Sequence, residues 1–82
     1  MKNIDSPIIT PAQLRAARAF LNISQSDVAV LAKTGRSAVA DFERGASLPY
    51  DRTLQDLQAA LELQGIEFLF NGHKGVGIRL RE

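Results

Sequence analysis

The chain contains no cysteine, no tryptophan and only one histidine. Without cysteine there is no disulfide and no thiolate metal site, and a reducing cytoplasm is permitted. One histidine is too little to build a zinc site, so neither metal nor cofactor is expected. Long apolar runs are missing as well. No stretch of the 82 residues approaches the roughly 20 that a bilayer-spanning helix needs. Nothing near Met1 has the apolar core of a signal peptide. The expectation is a cytoplasmic protein with no membrane partner. An excess of charge of one sign is also lacking: ten Lys and Arg stand against nine Asp and Glu, a net +1. That disfavours nonspecific packaging of DNA, which depends on backbone electrostatics. Any reading that involves nucleic acid must therefore rest on where residues stand, not on how many there are.

What is present is globular. At 45% hydrophobic and 23% charged, the composition argues against disorder. The length is that of one small domain. Such a chain buries only about 60% of its unfolded surface, so a second subunit would help it.

Thr10-Pro11-Ala12-Gln13 reads as a helix start, with Thr as N-cap, Pro at the first helical position and Gln reaching back to the cap. That helix places Leu14, Ala17 and Leu21 on one face and ends at Asn22. Ser24-Gln25-Ser26-Asp27 repeats the cap logic for a second, short helix with Val28, Ala29 and Ala32 inward. A third runs from about Arg36 to Arg44, with Val39 and Phe42 inward and Gly45 as terminator. Asp51 is the expected cap of a fourth, which buries Leu54, Leu57 and Leu61 and ends at Gly65.

The period then changes to two. Ile66, Phe68 and Phe70, then Val76, Ile78 and Leu80, alternate with other residues around the turn-rich segment 71–75. This predicts a β-hairpin with six apolar residues on one face. The predicted organisation is mainly α: a loose N-terminal arm over 1–9, a four-helix domain over 10–64 and a C-terminal hairpin over 65–82. The apolar face must either cap its own core or meet a second copy in a two-fold homodimer, by edge pairing of strands.

Two short helices joined by a tight turn, with a longer helix before them, read as a helix-turn-helix. The pattern becomes specific at Leu21-x-x-Ser24-Gln25-x-x-Val28-Ala29-x-x-Ala32 and Arg36-Ser37-x-Val39-x-x-Phe42-Glu43-Arg44-Gly45. It resembles the phage lambda repressor and Cro type of helix-turn-helix, the xenobiotic-response-element family of regulators, over roughly residues 14–61. The resemblance implies a bacterial or phage repressor that binds double-stranded DNA as a homodimer, with the third helix in the major groove. It implies a backbone-gripping role for Gln25 and a salt bridge between Arg18 and Glu43. Arg36, Ser37, Ala40 and Asp41 then face the bases. Arg36 matches guanine bidentately, Ser37 serves base or phosphate, and Ala40 can touch a thymine methyl. Asp41 either accepts from cytosine or orients Arg36 or Arg44. Ser24, Lys33, Thr34, Gly35 and Arg44 fall among the expected phosphate contacts, which position without reading sequence. Two positions depart from the family. Lys33 stands where glycine is usual, and Gly35 where Ser or Thr caps the next helix. The second helix is accordingly expected to run slightly long, with Thr34 or Gly35 as the next cap.

No catalytic set has a natural pocket here, so an enzyme is not expected. Gly72-His73-Lys74-Gly75 lacks the ending and following helix of a phosphate loop. The rival reading is a protein-binding module, either an adaptor or the antitoxin of a toxin–antitoxin pair, with the toxin as partner.

Overall fold

Three successive helices are started and stopped by local chemistry. In a computed structural model, which describes residues 7–81, Thr10 caps α1 (Pro11–Leu21) and Ser24 caps α2 (Gln25–Ala32), each through a complete capping box. Helix α3 (Arg36–Glu43) follows after a three-residue turn with Gly35 as N-cap. All three end in the same way, with one residue in the left-handed region. Asn22 (φ 58°), Lys33 (φ 56°) and Gly45 (φ 74°) hold these places. In each, the next amide reaches back over the turn: Ile23 N–H to Arg18 C=O, Thr34 N–H to Ala29 C=O and Ala46 N–H to Asp41 C=O. This satisfies carbonyls that a helix end otherwise leaves orphaned.

Lys33 corrects the expectation of a longer second helix. The lysine itself takes the left-handed position that glycine usually holds, so α2 stops at Ala32 and Gly35 is the cap of α3. A second correction concerns α4 (Asp51–Leu63). Its N-cap is Tyr50, in extended backbone after Pro49, and Asp51 is the first helical residue. There its carboxylate lies in the first turn, where the helix dipole favours negative charge.

The core forms where α2 packs on α3 and α4, with α1 laid against α3. Leu14, Val28, Val39, Leu57 and Leu61 are fully buried, and Ala29 is buried on α2. Ile9 is buried with them, so the expected loose arm already ends in the core. It directly precedes the cap Thr10, the position from which an apolar residue packs back over the first turn. Residues 1–6 of that arm lie outside the described residues. Among the described residues, no helix is long and apolar enough to cross a membrane.

After Gln64 and Gly65, the chain enters a two-stranded antiparallel hairpin, β1 (Ile66–Asn71) and β2 (Lys74–Leu80). The five-residue loop expected at 71–75 is a two-residue turn, Gly72-His73. The apolar face is smaller than the alternation implies. Ile66 and Phe68 are buried, and Phe70 and Ile78 are packed against the core. Val76 and Leu80 remain 58% and 46% exposed. The cause at Val76 is a β-bulge: Leu69 pairs with Gly77 but Phe70 with Gly75, which leaves Val76 without a cross-strand partner.

The bulge is filled by α1. Gln13, only 3% exposed, donates from Nε2 to the carbonyls of Leu69 (2.8 Å) and Gly77 (2.9 Å). Its Oε1 accepts from the Thr10 amide at 2.9 Å. One side chain thus completes the capping box of the first helix and ties the hairpin to it.

Candidate nucleic-acid interface

Glu43 ends α3 and is 3% exposed, a cost that demands partners. Arg18, on α1, meets it through both arms of the guanidinium: Nε to Oε2 at 2.6 Å and Nη2 to Oε1 at 2.8 Å. Such fork-to-fork geometry fixes orientation as well as adding energy. The third nitrogen of Arg18 bonds the Ile23 carbonyl, so the turn between α1 and α2 joins the same arrangement. Gln25, the first residue of α2, donates to Glu43 Oε1 at 3.1 Å. Arg15 donates to the Glu43 main-chain carbonyl. Three elements therefore converge on the C-terminal end of α3.

Burial pushes the Glu43 carboxyl upward. Hydrogen bonds from Arg18 and Gln25, with the positive charges of Arg18 and Arg15, outweigh that and hold it below the usual carboxylate range. Arg18 is raised in turn, chiefly by its bond to Glu43.

The other face of α3 is open. Arg36 and Ser37 are exposed at its start, while Ala40 and Asp41 are half-buried one turn on. Arg36 Nη1 bonds Gln25 Oε1 at 3.4 Å, so Gln25 bridges the buried Glu43 and the exposed Arg36. Asp41 is held by Arg44, Oδ1 to Nη2 at 2.7 Å. Of the roles open to Asp41, orienting Arg44 is thus the one occupied. Both side chains of this pair reach solvent, so it contributes little to stability.

The remaining expected contacts divide. The Ser24 hydroxyl accepts from the Asp27 amide, and Asp27 accepts from the Ser24 amide. The bond from the Ser24 amide, with the Ser24 hydroxyl beside it, holds the Asp27 carboxyl below its usual range. The Thr34 amide is spent on Ala29. Lys33 and Gly35 are exposed in the α2–α3 turn, and Gly35 offers no side-chain cap to the first amides of α3.

No protein-family model matches the chain, and no curated protein matches it.

Sequence reading missed two residues of this arrangement. Arg15 stands three before Arg18, which puts both on one face of α1, and that spacing was the available signal. Gln13 carried a signal only for its cap, since its two other partners lie in the hairpin.

Lys33 yields a direct prediction. A side chain in the left-handed region costs about 1–2 kcal/mol, which glycine avoids at some cost in unfolded-state entropy. Lys33→Gly is expected to stabilise the domain by about 1 kcal/mol and to raise its melting temperature by roughly 4–8 °C. Thermal unfolding followed by circular dichroism measures it, and an unchanged or lower melting temperature contradicts it.

Proposed function

We propose that this protein is a sequence-specific DNA-binding transcriptional regulator of the lambda repressor and Cro type. It acts as a repressor, occupying a palindromic operator as a homodimer with α3 in the major groove. One observation carries the reading. Arg36 and Ser37 stand exposed on the first turn of a short helix whose far end is fixed by a buried, doubly bonded ion pair. A reading head needs that combination: exposed side chains at the tip, and a base that does not turn. Arg36 is the guanine reader, since its planar fork matches O6 and N7. Gln25 holds Arg36 in the free protein and grips the DNA backbone at the α2 N-terminus in the complex. Lys33 and Arg44 serve phosphates. Two-fold symmetry supplies the second half-site one helical turn away.

The test is selection of bound sequences from a random DNA pool at one stated salt concentration, for wild type and Arg36→Ala. The expected result is an enriched palindrome, relaxed at a single position per half-site by Arg36→Ala, with a loss of about 1–3 kcal/mol for the preferred base. A folded protein that enriches nothing overturns the reading and turns the search to a protein partner.

A further inference from the structure

A two-stranded sheet has two open edges, each a template for pairing. The Arg81 amide donates to the Gly65 carbonyl at 2.6 Å, and this bond sets the phase of the ladder. In an antiparallel pair, bonded and non-bonded positions alternate. Gly65 and Arg81 form a bonded position, so Ile66–Leu80 and Phe68–Ile78 are non-bonded ones. The main-chain N–H and C=O of Ile78 and Leu80 therefore point outward from β2. Among the described residues, no turn, loop or cap hydrogen bond is made to them.

The side chains distinguish the two edges. On β1, Ile66 and Phe68 are already buried in their own chain. On β2, Val76 and Leu80 are apolar and exposed, and they flank Ile78 at two residues on either side.

We propose that the outer edge of β2 pairs antiparallel with the same edge of a second copy of this chain, with the two-fold axis at Ile78. This rests on the homodimer in the reading above and names its interface. In this register Ile78 faces its own copy, and Val76 faces the partner's Leu80, so both exposed apolar side chains are covered twice over by symmetry. Arg79 faces the partner's Gly77, and Arg81 the partner's Gly75. Both arginines thus meet a residue without side chain or charge, and Arg79 is already neutralised by Glu67 at 2.9 Å in its own chain. Other axes fail on charge or on cover. An axis at Leu80 sets Arg79 against the partner's Arg81, and an axis at Arg79 sets it against itself. Like charges directly opposite destabilise a strand pair. An axis at Gly77 sets Leu80 against the partner's Lys74, and an axis at Val76 sends it to the partner's Gly72 in the turn, so neither gives Leu80 an apolar cover.

The experiment is light scattering on the full chain, without DNA, so that it stands apart from the test of DNA reading. Wild type is expected at twice the 9.0 kDa chain mass at micromolar concentration. Val76→Lys with Leu80→Lys puts lysine against lysine twice across the axis and is expected to weaken the dimer roughly a hundredfold, to a folded monomer. Val76→Lys with Leu80→Glu puts lysine against glutamate and restores the dimer. A monomeric wild type overturns the proposal, as does a Lys–Lys variant that stays dimeric, or a Lys–Glu variant that stays monomeric. Cysteine supplies a second readout, independent of charge. Facing Cα atoms at a bonded position lie about 5.5 Å apart, within disulfide range. Ile78→Cys is expected to oxidise to a covalent dimer and Arg79→Cys is not, and the reverse pattern refutes the register.

Discussion

Glu43→Gln lowers the stability of the domain by about 3 kcal/mol. Losing one member of a buried pair leaves the other charge without compensation, at a cost of about 3–5 kcal/mol. The lower end applies because the Arg18 side chain keeps 23% of its surface. Against the roughly 5–15 kcal/mol of a typical domain, this is a large share, and it moves the melting temperature by roughly 12–24 °C. Urea unfolding of wild type and variant measures it, and a difference below about 1 kcal/mol would mean that the pair is incidental. Acidity supplies the cross-check. The folded-state pKa of Glu43 is depressed, so its contribution is fully present above the ordinary carboxylate range. It is lost as pH falls through the depressed value. The gap between wild type and Glu43→Gln therefore closes in acid, from the wild-type side, because a protonated Glu43 is nearly what the glutamine already is.

Gly75→Ala costs about 2–3 kcal/mol for a reason that has nothing to do with backbone freedom. A Cβ at Gly75 falls 2.0 Å from Gln13 Oε1 and 2.5 Å from its Cδ. The end of a glutamine is normally free to swing away. Here it is buried and holds three main-chain groups, so moving it strands donors and acceptors that cost about 1–3 kcal/mol each when unpaired. The decisive measurement is a double-mutant cycle by chemical denaturation. Gln13→Ala is destabilising alone, but in that background Gly75→Ala is expected to cost little, because the obstructing atoms are gone. Additive losses would show that the contact does not govern the site.

How far the sequence could be read depended on whether a feature was local. The α1 and α2 starts were legible because a capping box is complete within four residues. Asn22 and Gly45 were legible as terminators because their types suit left-handed backbone. Lys33 was not, since nothing in a lysine signals that conformation; the carbonyls at the end of α2 demand it. Tyr50 escaped because the acid after it satisfies the same dipole from inside the helix. In the hairpin, alternation gave the strands but not the bulge. An inserted residue leaves the apolar spacing of Val76, Ile78 and Leu80 intact while changing what each one faces. At the candidate interface, the Arg18–Glu43 contact and the outward start of α3 were implied by the resemblance that the motif residues carry. The bridge through Gln25 to Arg36 does not, because it depends on how two helices sit in space.

The bonds of Gln13 reach 56 and 64 residues along the chain. That span sets an order on synthesis. While the ribosome is still making β2, the first helix has its cap but not its second set of partners, and the carboxamide that will fill the bulge is in water. The four helices can collapse early, yet the domain closes only when Gly77 has emerged. A chain truncated before β2 keeps the Leu69 carbonyl but lacks that of Gly77 and the bulge itself, so the carboxamide stays in water, β1 has no strand to pair with, and the fragment is left open to proteolysis.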